Sequence, residues 1–224
     1  MKTYGHRCLH YVLDLWIEKV VKPRLVGEVY YVRYIDDFVV CFQHKADAMR
    51  FERVLIERLE KFSLCVEPDK TRLVRFGRFA QQGAKERGER LETVYFLGFR
   101  FYCSKNGNGN FKVGVKTEKT RLRGAHQKLK ELMRKIRHEP LKIQQQKINR
   151  YLTGHYNYYG ICGNSAGLKR VYYFAVTYWR KALSSRSQRG GVTWEKYGRL
   201  LKIFSLRKPR LRYSYSQFSQ LALP

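Results

Sequence analysis

The chain has 224 residues, 44% of them hydrophobic, with 46 Lys and Arg against 18 Asp and Glu for a formal net charge of +28. That apolar content suffices for a packed core and excludes wholesale disorder, while no stretch approaches the ~18 continuous apolar residues of a membrane-spanning helix. The length holds one ordinary domain or two small ones.

The charge is unevenly spread. Residues 1–70 hold 12 basic and 11 acidic side chains, so nearly all the excess lies behind an almost neutral N-terminal third. A polyanion is the natural partner for such a surface, nucleic acid the usual one. A ribosomal-type or simply soluble basic domain is the alternative, and a membrane surface ranks below both. His10 and Asp14 interrupt the first apolar stretch, which makes it a poor signal peptide. Cys8, Cys41, Cys65, Cys103 and Cys162 are odd in number, widely spaced and never in a C-x-x-C pair. This argues against a zinc site or disulfide framework and suits a reducing cytoplasm. His6, Cys8 and His10 read as surface residues, not a metal site.

In chain order, residues 9–20 carry a helical stripe of Leu9, Val12, Leu13, Trp16, Ile17 and Val20, broken by Pro23 and Gly27. Residues 30–42 are β-branched and aromatic except for Asp36-Asp37, and predict two short strands around a tight turn. Residues 45–62 are helical in pattern, residues 64–66 and 71–76 read as short strands flanking Pro68, and residues 81–90 as an exposed loop. Residues 93–102 and 111–116 predict a hairpin joined through two Asn-Gly steps. Four helices then follow, over 117–137, 141–159, 168–186 and 194–204, before a loosely held tail from Pro209. No internal repeat is evident. The fold class is therefore α+β up to residue 116 and all-α after it.

The sharpest feature is Tyr34-Ile35-Asp36-Asp37-Phe38. Two carboxylates inside an apolar hairpin are costly to bury unless cations neutralise them, and hard divalent ions such as Mg²⁺ suit oxygen ligands. Two such ions ~3.5–4 Å apart can activate a 3′-hydroxyl and stabilise a leaving pyrophosphate. Alternation along a strand makes Asp36 the principal candidate ligand and Asp37 the secondary one. On its own, an Asp-Asp pair is more readily a solvated turn than a metal site.

The surrounding pattern favours the metal reading. Val32-Arg33-Tyr34-Ile35-Asp36-Asp37-Phe38-Val39-Val40 resembles the catalytic hairpin of group II intron reverse transcriptases, which most often have Ala at the position of Ile35. Residues 9–16 resemble the palm helix before it, and Glu67-Pro68-Asp69-Lys70-Thr71 resembles the family's P-x-KT block. Phe96-Leu97-Gly98-Phe99 is similar to its FLGF strand, which implies a primer grip at Phe96, Leu97 and Gly98. Residues 152–160, 179–183, 186–188 and 209–211 resemble the thumb, or maturase domain X.

The resemblance implies a partial palm over residues 1–116, a thumb/maturase domain over 117–211 and a tail over 212–224. It also implies Mg²⁺ as cofactor. The implied partners are group II intron RNA, an RNA template with its DNA primer, and a separate N-terminal reverse-transcriptase fragment. The family's upstream metal-binding Asp strand and its Gly/Pro-rich nucleotide-pocket block have no counterpart here, and Asp14 lies on a helix. Polymerisation by this chain alone is therefore not expected. The alternatives are a non-catalytic RNA-binding maturase module and a decayed gene remnant. No His/Cys cluster follows the thumb region, so DNA cleavage is not expected either.

Arg121, Arg123, Lys128, Lys130, Arg134, Lys135 and Arg137 spread positive charge along the first thumb helix, with Glu131 as the one acid within that stretch. Asn157 and Tyr158 are the candidate base-contacting groups, with Tyr156 and Tyr159 packed inward. Trp179 and Trp194 read as core anchors. Lys70 is a candidate backbone contact, or one half of an ion pair.

Overall fold

Val12, Leu13, Trp16 and Ile17 form the buried stripe of the first helical segment. It runs in wide π-type turns over His10–Asp14 and Ile17–Val21 and closes in a 3₁₀ turn at Lys22–Arg24, where Pro23 removes a backbone donor. The computed structural model describes residues 9–186, 191–214 and 217. His6 and Cys8, Ser187 and Gln188, and Tyr215 and Ser216 of the tail therefore lie outside the described residues.

The chain divides into two compact units, one up to Leu97 and one from Gly98 onward. In the first, β1 (Val29–Tyr34) and β2 (Asp37–Phe42) pair antiparallel, with Val29 opposite Phe42 and Tyr34 opposite Asp37. Helix α1 (Lys45–Glu60) packs Phe51, Leu55 and Leu59 against the first helical stripe, and Phe38, Val40 and Phe42 of β2 join the same core. Alternation sends Tyr31 and Arg33 inward and leaves Tyr30, Val32 and Tyr34 exposed.

Three expectations for this unit are corrected. Residues 64–66 and 71–76 form no strand. Around Pro68 the N–H groups of Lys70 and Thr71 both return to the Glu67 carbonyl (3.1 and 3.0 Å), which makes a turn. The supposed loop at 81–90 carries a short helix, α2 (Ala80–Glu86), with Ala84 buried. Its residues other than Gly83 are sound helix formers, a preference that outweighs the segment's polarity. The run expected as one strand over 93–102 is two: β3 (Thr93–Phe96) and β4 (Phe99–Lys105). Leu97 (φ 49°) and Gly98 (φ 74°) interrupt it with left-handed backbone.

In the second unit β4 pairs antiparallel with β5 (Phe111–Thr117), from Phe99 opposite Thr117 to Lys105 opposite Phe111. Helices α3 (Lys119–Lys135), α4 (Leu141–Tyr159), α5 (Ser165–Ser184) and α6 (Trp194–Ile203) follow. Their shared core contains Leu129 and Met133, Ile148 and Leu152, Val171 and Trp179, and Tyr197. Buried Gln144 is fully bonded: its oxygen accepts from the Trp179 indole (2.8 Å) and its amide donates to the carbonyls of Arg137 (3.0 Å) and Glu139 (2.8 Å). Trp194 is not a core anchor. It is 56% exposed, with the Arg180 guanidinium 4.2 Å from its ring centre.

The division thus falls at Leu97–Gly98, ahead of residue 116, because the β4–β5 hairpin is tied to the helices. Buried Asn164 accepts from the Thr117 N–H (2.8 Å) and donates to the Thr117 hydroxyl (2.8 Å) and the Tyr159 carbonyl (2.9 Å). The start of the tail is also held: the Arg212 N–H donates to the Gly160 carbonyl (2.6 Å), and Tyr213 pairs with Ile161. No helix among the described residues is long and apolar enough to cross a membrane.

Candidate nucleic-acid interface

Asp36 and Asp37 sit at the tip of the β1–β2 hairpin, and both are exposed, not enclosed by apolar strands as the residue pattern suggested. Ile35 carries the turn with φ 58°, a left-handed conformation that is rare for a β-branched side chain. The tip is braced from behind. The Arg33 Nη1 donates to the Ile35 carbonyl (2.7 Å), its Nε donates to Asp14 Oδ1 (2.6 Å), and its Nη2 donates to Asp14 Oδ2. The Tyr31 hydroxyl donates to Asp14 as well (2.7 Å).

One helical carboxylate therefore organises the inner face of the hairpin. The Arg33 bonds outweigh the burial that opposes them and pull the Asp14 carboxyl down to about 2. Burial, followed by the hydrogen bond to Asp14 and then its charge, pushes the Tyr31 phenol above its usual range. Asp14 also meets the His10 ring (3.1 Å), so both of its oxygens are engaged. No group of three or more His, Cys, Asp or Glu side chains among the described residues is placed to hold a metal.

Lys70 stands 3.9 Å from Glu67, with both side chains largely in solvent, a pairing of little energetic consequence.

In the second unit, residues singled out for separate reasons meet. Gly98 lies with its Cα against Tyr159 and Arg121: an added Cβ would stand 3.0 Å from the Tyr159 hydroxyl and 3.4 Å from Arg121 Cγ. Phe99 stacks on Tyr158 at 6.0 Å and an 11° interplanar angle, and touches Tyr159 at 5.2 Å. Tyr158 and Asn157 are exposed, Tyr156 is buried and Tyr159 half-buried. Gly98, Arg121 and Tyr159 thus meet at one ring-walled junction, with Tyr158 beside it on Phe99, while Phe96 and Leu97 belong to the preceding unit.

Along α3, Arg123, Lys128 and Lys135 are exposed and Lys130 is half-exposed. Arg121 lies 3.9 Å from Glu118. Glu131 accepts from Gln127 (2.6 Å) and neutralises no cation among the described residues. Arg134 donates to the Tyr178 hydroxyl (3.1 Å). That ring stacks on Phe174 (5.6 Å, 9°), which in turn stacks on His126 (4.3 Å, 14°). Arg137 lies beyond the helix end and donates to the His138 ring (2.9 Å).

This ladder between α3 and α5 was not read from the sequence. The spacing of Phe174 and Tyr178, four residues apart, is its one local signal. The brace was missed too, although alternation places Arg33 inward beside Tyr31, where a guanidinium requires an acid.

His155 is buried below Tyr159. Burial, with a smaller contribution from His126, pulls its imidazole down to about 4. No curated protein matches the chain. Residues 4–101, which carry the braced helix, the Asp36–Asp37 hairpin and the strand ending at Phe96, match the reverse transcriptase (RNA-dependent DNA polymerase) family.

Proposed function

We propose that the chain is the palm-hairpin and thumb portion of a group II intron reverse transcriptase/maturase, and that its part from Gly98 onward binds intron RNA. One observation carries the RNA-binding reading. From Gly98 onward the chain has 28 Lys and Arg but only four carboxylate side chains, Glu118, Glu131, Glu139 and Glu195. Each of the four is engaged within its own unit, by Thr120, Gln127, Lys147 and Arg199 respectively. The cationic helix face, the ring-walled junction at Gly98 and the exposed Tyr158 supply the phosphate contacts and stacking surface that single-stranded or looped RNA requires. Polymerase chemistry belongs to an assembly in which a further carboxylate-bearing segment completes the hairpin of Asp36 and Asp37.

Filter binding of the full chain to structured intron RNA tests the reading. Replacing Arg123, Lys128 and Lys135 together with Gln is expected to weaken binding at least about tenfold and to flatten its salt dependence. Unchanged affinity would sink the RNA-binding assignment. Primer extension in the presence of a reverse-transcriptase N-terminal fragment separates two forms of the reading. Extension lost on Asp36→Ala marks a complementing polymerase. RNA binding without extension marks a non-catalytic module.

A further inference from the structure

Strand pairing in the second unit places Arg100 directly opposite Lys116, Tyr102 opposite Gly114 and Ser104 opposite Lys112. These six residues share one face of the β4–β5 hairpin. The Tyr102 ring lies flat across Gly114, where an added Cβ would fall 2.3 Å from its Cζ. Above the ring sit two cations, the Lys116 Nζ at 4.8 Å from the ring centre and the Arg100 Cζ at 5.6 Å. Like charges placed directly opposite each other on paired strands are destabilising. Here the ring quadrupole is what holds them together.

No carboxylate relieves the pair. Neither Arg100 nor Lys116 has an ion-pair partner among the described residues, and the four glutamates of this unit are all engaged elsewhere. A paired, uncompensated Arg and Lys fixed on a rigid hairpin are a pre-organised anion receptor. The guanidinium supplies the planar fork that matches phosphate oxygens and the ammonium adds a point charge.

We propose that the Arg100–Tyr102–Lys116 face of the β4–β5 hairpin binds the phosphodiester backbone of a nucleic-acid strand. The site rests on the nucleic-acid reading above but is independent of the α3 cations. Because the ring's faces are taken by Gly114 and the two cations, the face recognises backbone and not bases. It therefore accepts RNA or DNA without sequence preference.

The test is a salt titration of the full chain binding a single-stranded RNA and a single-stranded DNA oligonucleotide of one length. It compares wild type, R100Q/K116Q, the α3 triple variant, and K142Q/K202Q as a control for net charge. The expected result is that R100Q/K116Q lowers the slope of log K against log salt by about 1.4, ~0.7 for each phosphate no longer neutralised. The control should change it far less. The single variants R100Q and K116Q, each expected to remove about half of that, cover the case in which the double variant fails to fold. A reduced slope in both arms, or in one, supports the site and identifies the strand it takes. A slope unchanged in R100Q/K116Q while the α3 variant weakens binding overturns this proposal alone. No binding by wild type overturns it together with the reading it rests on. Competition by polyglutamate as effective per charge as by the oligonucleotides overturns it in favour of an acidic protein partner.

Discussion

Asp14 holds three hydrogen-bond donors from the inner face of the β1–β2 hairpin, and the guanidinium among them also grips the Ile35 carbonyl in the turn. Arg33→Met leaves a part-buried carboxylate without its main partner and should cost on the order of 2–3 kcal/mol. A double-mutant cycle with Asp14→Asn in urea unfolding should return a coupling of about 1–3 kcal/mol; additive effects would refute the brace. The acid response follows from the same groups. His155, at about 4, is held below the ordinary histidine value, so the folded state binds fewer protons than the unfolded chain. Its contribution is intact above about pH 6.5 and is lost as pH falls towards 4. The Asp14 carboxyl, at about 2, contributes above about pH 4 and is lost only as pH falls further towards 2. Burial also holds the His126 imidazole below its ordinary value, so urea midpoints measured against pH should fall in two windows, and His155→Phe should shrink the first while leaving the second.

The β4–β5 hairpin shows how closely its two strands are fitted. Gly114→Val places a branched side chain inside the space of the Tyr102 ring and should destabilise by about 1–3 kcal/mol, with Tyr102→Ala in the same chain restoring part of the loss. Thermal unfolding of these two variants and of Tyr102→Ala alone decides it. This pairing was legible in advance, since the Asn-Gly steps fix the turn and the alternation fixes the faces. So were α4, whose apolar spacing and terminal Gly160 mark both ends, and the β1–β2 hairpin around its two aspartates. Other segments were not legible. The β-type residues of 64–66 and 71–76 have propensity but no partner strand, and without ladder hydrogen bonds they stay irregular. Trp194 has core chemistry but lies in the first turn of α6, where Tyr197 takes the inward position beside Trp179. At the candidate site, residue types showed which side chains were cationic or aromatic. Only the fold shows that Gly98 and Arg121 meet at Tyr159 and that Phe99 stacks on Tyr158, since they come from a turn, a strand and two helices distant in sequence.

Taken whole, the chain joins a nearly balanced unit to one of high positive charge. The first has 18 Lys and Arg against 14 Asp and Glu up to Leu97, and the second has 28 against four. Within the second unit the buried network of Gln144, Trp179 and the Arg137 and Glu139 carbonyls fixes the α3–α4 connection. Arg186 also donates to both of these carbonyls, so Gln144→Leu strands the Trp179 indole N–H alone and should cost roughly 1–3 kcal/mol, measurable as a lowered denaturant midpoint. The same charge census bears on more than binding. With so few acids to offset them, the cations of this unit repel one another in the folded state, and dissolved anions screen that repulsion. Added salt should therefore raise the melting temperature of the free protein while it weakens the proposed grip on nucleic acid, so the two properties would pull in opposite directions along one axis. On the proposed reading, a bound polyanion would be a structural component as much as a ligand, supplying the negative charge that this half of the sequence omits.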